Sequence, residues 1–340
     1  MTTVRPHRGD KLRVAMIGAG MISEHHLIAW SRLKDRAQVV AVADPDRGRA
    51  LRRAESFGIP KVYTDVASLL AGEELDAVDI ASPRETHAEN VDLAAARGVD
   101  VMCQKPLAPT LAEAQALVES VDARVRLMVH ENWRYRPWYR QIKSWIQEGL
   151  IGVPLLANMA LYSSGLLPDE RGLRPDLERQ PFMAREIRFL IAEVLIHQID
   201  VVRWLMGPLR VVGARASRTI DVVDGETMAT ILMETADGRP VTVSGMMAAP
   251  GFPPRTLDRL ELIGTAGSAV LDRTSLSLLG AQKKSVTYDF AQSYQASFDS
   301  TIESFVDCLE TGKQFETNAS DNLETLRLVE HAYWAAGLRG

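Results

Sequence analysis

Along the first third of the chain, apolar residues fall in short solid blocks at residues 12–17, 39–43, 77–81 and 99–102. Between them run amphipathic stretches such as residues 85–96. Blocks this short predict strands buried on both faces and joined by helices. That is a doubly wound parallel sheet, whose ligands sit beyond the carboxyl ends of its strands. From residue 153 the pattern changes. Strand-like runs at residues 153–162, 209–217, 227–234, 241–247, 257–263 and 268–271 follow one another, several joined by short turns such as Ala236-Asp237-Gly238 and Gly264-Thr265-Ala266-Gly267. These predict a largely antiparallel sheet. One helix is expected at residues 192–206, with Leu195, Ile199, Val202 and Met206 at helical spacing and Gly207-Pro208 ending it. Packing helices are expected at residues 297–310 and 321–338. The fold class is therefore α/β plus α+β: a dinucleotide-binding domain over residues 1–128, then a substrate-binding and oligomerisation domain over residues 129–340. The chain shows no internal repeat or low-complexity segment.

Candidate chemistry gathers at the predicted strand ends. Val14-Ala15-Met16-Ile17-Gly18-Ala19-Gly20-Met21-Ile22-Ser23 reads as a strand, a glycine turn and a helix start. Gly18 permits the tight bend and Gly20 leaves room for a pyrophosphate. The backbone N–H groups at Met21 and Ile22 open the helix, and Ser23 fills the third slot with a small side chain. The same pattern also occurs in ordinary βα turns. Asp44 closes the second strand a little over twenty residues on, where a carboxylate hydrogen-bonds the ribose hydroxyls of NAD. A 2′-phosphate there would meet like charge, so NAD is favoured. Arg47 nearby leaves NADP open, and Asp44 as the cap of the next helix is the alternative. At the third end, Ser82-Pro83 starts a helix and His87 faces either cofactor or solvent.

Cys103-Gln104-Lys105-Pro106 follows the next strand. A lysine before proline is held extended, so its ammonium can be aimed at a substrate oxygen; a solvated strand-end lysine is the bland alternative. Cys103 reads as a buried strand cysteine. In residues 130–140 basic and aromatic residues interleave, and the stretch is read as a crossover in which Asn132 and Arg134 offer hydrogen bonds to a polar ligand. Glu193 and His197 lie four apart on the predicted helix, an arrangement that suits a surface pair, a metal half-site or a carboxylate orienting an imidazole. No second Glu/His cluster completes a metal site. The long Pro- and Arg-rich stretch at residues 165–188 is expected to be a lid, with Arg174, Arg179 and Arg185 as contact candidates.

The totals narrow the class. The 340 residues suffice for two full cores, and 46% hydrophobic with 24% charged residues is a globular composition. No apolar run approaches the roughly 20 residues needed to span a bilayer. The N-terminus, with Arg5, His7, Arg8 and Asp10, shows no apolar signal segment, so a cytoplasmic protein is expected. Two cysteines make no disulfide framework, and a net charge of −5 argues against nucleic acid as the main partner.

Taken together, Gly18-Ala19-Gly20 with Asp44, Ser82-Pro83 with His87, Gln104-Lys105-Pro106, His130-Glu131-Asn132-Trp133-Arg134 and Glu193-x-x-x-His197-x-x-Asp200 resemble the glucose-fructose oxidoreductase, inositol dehydrogenase and rhizopine-catabolism (Gfo/Idh/MocA) family. The resemblance spans nearly the whole chain. It implies NAD- or NADP-dependent oxidation of a hydroxyl on a sugar, polyol or relative, with Lys105, Glu193 and His197 around the reacting carbon and Gln104 beside the cofactor. His197 would take the hydroxyl proton, Lys105 would stabilise the alkoxide and Glu193 would orient the imidazole or bind a hydroxyl. Four positions depart from the family's usual pattern: Gln104 for glutamate, Arg84 for asparagine, Glu193 for aspartate and Leu195 for glycine. The lid sequence Gln180-Pro181-Phe182-Met183-Ala184 is similar to a branch that includes D-apiose dehydrogenase. Fold analogy adds a homodimer or homotetramer formed through the second-domain sheet. Two other readings remain on this fold: a non-catalytic dinucleotide-binding regulator, and a glycoside hydrolase that uses tightly bound NAD in an internal redox cycle and shows no net NADH.

Overall fold

The computed structural model describes residues 11–121 and 124–338. The N-terminal stretch read for a signal segment lies outside the described residues. The chain divides into two units. The first holds the described residues up to Tyr135 together with Tyr294–Glu324, and the second holds Arg136–Ser293 with the residues after Glu324. The units part between Tyr135 and Arg136, and the C-terminal segment Tyr294–Glu324 clusters with the first. The cause is packing: Phe298, Ile302, Phe305 and Val306 share one buried cluster with Leu12, Val14, Trp30, Met102 and Met128. Each such side chain contributes about 1.5–3 kcal/mol when fully buried.

The first unit carries six strands: β1 (Leu12–Ile17), β2 (Ala37–Ala43), β3 (Lys61–Tyr63), β4 (Ala77–Ile80), β5 (Asp100–Gln104) and β6 (Leu127–His130). All pair in parallel, in the order β3-β2-β1-β4-β5-β6. Helices α1 (Ser23–Arg32), α2 (Arg47–Phe57), α3 (Val66–Gly72), α4 (His87–Ala96) and α5 (Leu111–Val121) supply the crossovers. The order reverses between β1 and β4, which makes the carboxyl ends of these two strands the switch point where such sheets bind ligands. Local sequence sets the breaks. Asp46 and Asp65 accept hydrogen bonds from Arg49 and Ser68 N–H to cap α2 and α3, and Gly58 ends α2 in the left-handed conformation.

The second unit holds α6 (Pro137–Gln147), β7 (Pro154–Tyr162), α7 (Pro175–Arg179), α8 (Ile196–Met206) and strands β8 (Leu209–Ser217), β9 (Met228–Thr235), β10 (Pro240–Met246), β11 (Asp258–Gly264), β12 (Gly267–Asp272), β13 (Ser275–Gly280) and β14 (Lys284–Thr287). They form one eight-stranded sheet in the order β14-β13-β12-β11-β7-β10-β9-β8, antiparallel except for the β7–β10 pair. Alternation decides the faces: Val241 and Val243, Leu260 and Leu262, and Ile231 and Met233 are buried, while their neighbours are more exposed. The C-terminal helices are α9 (Phe290–Thr311) and α10 (Ala319–Ala335). The hairpin β13–β14 is absent from the sequence expectation. Immediately before α8, residues Leu190–Leu195 form a π-helical turn rather than the start of an α-helix.

Candidate active site

The glycine turn lies at the switch point. Gly18 has φ +97°, and a Cβ there would come within 2.6 Å of the Ala81 carbonyl oxygen. Only glycine lets β1 turn against the end of β4 in this way. At Gly20 a Cβ would meet nothing within 4 Å, so the turn has open space on its outer side. Asp44 is buried, and its Oδ2 accepts the Ala19 N–H at 2.8 Å while Oδ1 accepts the Asp46 N–H at 2.8 Å. The carboxylate is thereby locked beside the turn. The helix cap is Asp46, so the alternative reading of Asp44 as cap falls away. Arg47 is exposed at the start of α2; the arginine that meets Asp44 is Arg49, with Nε 3.5 Å from Oδ1. Ser23 is buried and donates to the Gly20 carbonyl at 2.6 Å, and Arg53 donates to the same carbonyl at 3.2 Å. Met21 is exposed beside Gly20 and Ile22 is half-buried. A glycine bend with open space and a fixed carboxylate one strand away fit a dinucleotide with two free ribose hydroxyls.

The β4 and β5 ends meet through His87. Its ring nitrogens lie 3.0 Å from the carbonyl oxygens of Pro106 and of Ser82. The ring is buried and faces backbone, which corrects the expectation that it faces cofactor or solvent. Burial lowers its pKa against the pull of those carbonyls. Ser82 also meets Thr86 Oγ1 at 2.7 Å, and Pro83 precedes the 3-10 turn Arg84–Thr86. Lys105 is half-buried, and its peptide bond to Pro106 is cis.

Gln104, half-buried at the end of β5, sits among three protein groups. Its amide nitrogen lies 2.9 Å from His26 Nε2 and 3.1 Å from His130 Nδ1, and its oxygen accepts the Lys105 N–H at 3.1 Å. Its amide hydrogens are thus turned to the two imidazoles. His26 in turn meets Asp79 Oδ2 at 2.8 Å, which also accepts Trp30 Nε1–H at 2.7 Å. Sequence reasoning missed Asp79 and His26; the lone charge inside the apolar block Ala77-Val78-Asp79-Ile80 was the available signal. Cys103 is buried in β5, and burial with the Asp79 charge pushes its thiol well up, so it is an inert strand cysteine.

In the second unit, Glu193 sits half-buried on the π turn and His197 is buried in the first turn of α8. The α-helix expected from residue 192 therefore begins at Ile196. A π turn holds an extra residue per loop, so the four-residue spacing of Glu193 and His197 does not carry the α-helical stacking assumed for it. The turn is held from outside. Glu226, buried on the approach to β9, accepts the N–H groups of Ile191 at 2.9 Å and Phe189 at 3.2 Å, and the Tyr333 hydroxyl at 2.6 Å. Burial and this carboxylate push the Tyr333 hydroxyl well above its usual range. One turn beyond His197, buried Asp200 accepts Thr325 Oγ1–H at 2.8 Å. Leu195, where the family commonly has glycine, is buried against Gly245; a Cβ on Gly245 would come within 2.8 Å of the leucine Cδ2.

The remaining candidates are held by protein. Asn132 is buried and donates to Ser297 Oγ at 2.8 Å. Arg134, also buried, is paired with Asp321. Both tie the segment around Ser297 and Asp321 to the end of β6. Arg174 donates to the Leu166 carbonyl within its own loop. That loop contains α7 and the 3-10 turn Pro181–Arg185, and it is stitched to residues 224–226 by the Asp224 N–H donating to the Ala184 carbonyl at 3.0 Å. Arg179 stands 3.8 Å from Asp176, and Arg185 lies in the 3-10 turn. Among the described residues no group of three metal-ligating side chains occurs, and no helix is long and apolar enough to cross a membrane.

Comparison with known proteins bears on both units. Residues 12–131 match the oxidoreductase family with the NAD-binding Rossmann fold, and residues 139–270 match the GFO/IDH/MocA C-terminal domain. The chain belongs to the Gfo/Idh/MocA oxidoreductase family. It is 34% identical to D-apiose dehydrogenase of Paraburkholderia graminis, over 98% of this chain and 89% of the relative, and 30% identical to D-apiose dehydrogenase of Rhizobium rhizogenes, over 96% and 95%. Its fold is similar to that of an oxidoreductase from Agrobacterium radiobacter solved in complex with NAD+, L-tartaric acid and magnesium. The TM-score is 0.88, with 29% identity over 96% of each chain.

Proposed function

We propose that the protein is an NAD-dependent dehydrogenase that oxidises a hydroxyl of a free sugar, with a branched or furanose aldose of the D-apiose type as substrate and the lactone as product when the hemiacetal carbon reacts. The observation that carries this reading is the likeness, over nearly the whole chain, to two D-apiose dehydrogenases. The glycine turn with its fixed carboxylate supports the choice of cofactor.

Bound NAD supplies the hydride acceptor. The N–H groups at the start of α1 would hold its pyrophosphate and Asp44 would receive the ribose hydroxyls, with Ser82 and Pro83 bordering the site at the end of β4. His197 takes the hydroxyl proton, since imidazole has a near-neutral reference pKa suited to a base at physiological pH. Lys105 places a positive charge against the oxygen as negative charge develops. Glu193 orients the imidazole or binds a neighbouring hydroxyl. The chemistry takes place in the cytoplasm, without nucleic acid as a partner. The protein works as a homodimer or homotetramer through the outward face of the second sheet, where Leu232, Ile263 and Leu279 are exposed on one side. The test is a panel of aldoses, ketoses, lactones and inositols with NAD and with NADP, read by absorbance of the reduced nicotinamide. Net reduction with an aldose is expected. Hydrolysis of a glycoside without net NADH would place the protein with the glycoside hydrolases instead.

A further inference from the structure

The buried polar cluster around Gln104 is more closely determined than a set of contacts. The Lys105 N–H can only donate, so the face of the Gln104 amide toward it is the oxygen, at 3.1 Å. The amide NH2 must then point at His26 Nε2 and His130 Nδ1, at 2.9 and 3.1 Å. Two donors leave both imidazole nitrogens no role but acceptor. His26 therefore carries its proton on Nδ1, where it donates to Asp79 Oδ2, and His130 carries its proton on Nε2. Asp79, His26 and His130 are all buried; the two rings stand 4.2 Å apart, and Phe298 from α9 packs on both.

A glutamate at 104 would reverse this pattern. Its oxygens would need an N–H from His26 Nε2 while Asp79 keeps the Nδ1–H, which requires a charged imidazolium between two carboxylates. Glutamine at 104 and neutral imidazoles thus belong together, and the cluster holds one buried charge, that of Asp79, instead of three.

We propose that Asp79, His26 and Gln104 are positioning residues that hold the backbone of Lys105 in place, and that Gln104 keeps His26 and His130 in fixed neutral tautomers. This rests on the catalytic reading of Lys105. The titratable groups facing His26 are Asp79 from β4 and His130 from β6; Trp30 from α1 shares Asp79, and Phe298 closes the cluster from α9.

The test uses the full chain with 15N-labelled histidine, resonances being assigned with His26→Gln and His130→Gln. The expected spectrum shows His26 protonated on Nδ1 and His130 on Nε2. In Gln104→Glu, the His26 signals are expected to show both ring nitrogens donating. Kinetically, Gln104→Leu lowers kcat by about tenfold, as one lost positioning hydrogen bond to a working group implies, and leaves the KM for NAD within about twofold. Gln104→Glu, which keeps an oxygen facing the Lys105 N–H, recovers most of that kcat. Added to Lys105→Ala, Gln104→Leu costs nothing further.

A His26 protonated on Nε2 in the parent overturns the proposal. So does an unchanged kcat in Gln104→Leu where Lys105→Ala is impaired. Near-normal turnover in Lys105→Ala overturns the catalytic reading itself, and with it the positioning role, while the histidine spectra report separately on whether the tautomers were assigned correctly.

Discussion

Lys105 and the Glu193–His197 pair are held by opposite means. Lys105 follows a parallel strand, so the sheet ladder sets its backbone, and its N–H donates to the Gln104 amide, which itself meets the imidazoles of His26 and His130. Glu193 rides on a π turn, and what fixes that turn is a buried carboxylate from elsewhere in the chain, Glu226, with Asp200 pinning the helix that carries His197. A π turn is a sparsely used conformation that persists only when its surroundings enforce it. Regular secondary structure can place a functional group with neutral partners, whereas an irregular turn needs strong charge-assisted hydrogen bonds.

The contrast can be broken at several points. The largest effect is expected at the proton acceptor: His197→Ala should lower kcat by roughly 10²–10⁴ with NAD affinity unchanged, as loss of a general base does. Steady-state kinetics with a reactive sugar check this. Next comes Glu226→Ala, which strips three donors of their acceptor and should cost about 2–4 kcal/mol of stability in urea unfolding. Glu226→Gln, which keeps an acceptor, should lose less, and equal stability of all three proteins would refute the role given to Glu226. A smaller effect follows at Asp44: Asp44→Ala should weaken NAD binding by about tenfold or more, the worth of a hydrogen bond to a charged group, when titrated by fluorescence.

The smallest effect concerns pH. Burial lowers the pKa of His87, so in acid the unfolded chain takes up a proton that the folded protein resists. Its contribution to stability is full above the ordinary imidazole value of about 6.5 and is lost as pH falls below it. His87→Gln should flatten that part of the stability profile, and an unaltered profile would show that His87 is not its source.

What the chain revealed on reading follows the same division. Gly18, Gly20 and Asp44 stood out because a parallel sheet sends its ligands to strand ends, and a strand end can be recognised from a few neighbouring residues. Glu226 gave no such signal, since its work is done on N–H groups more than thirty residues earlier in the chain. The π turn escaped because apolar spacing over six residues does not separate it from an α-helix. The protein partners of Asn132 and Arg134, Ser297 and Asp321, could not be read because they lie far along the chain and only the fold brings them together. The β13–β14 hairpin was lost for another reason: its alternation is written in serine and leucine over short runs, and β14 is exposed along its whole length.

The central claim is that Lys105 stabilises the developing alkoxide in an NAD-dependent oxidation. Its most direct test is the rate of NADH formation from D-apiose by the parent and by Lys105→Ala, each with saturating NAD and with NAD affinity measured in parallel. The expected result is net NADH from the parent and a fall of about 10²–10³ in kcat for the variant, with NAD affinity intact. Parent-like turnover in Lys105→Ala would contradict it.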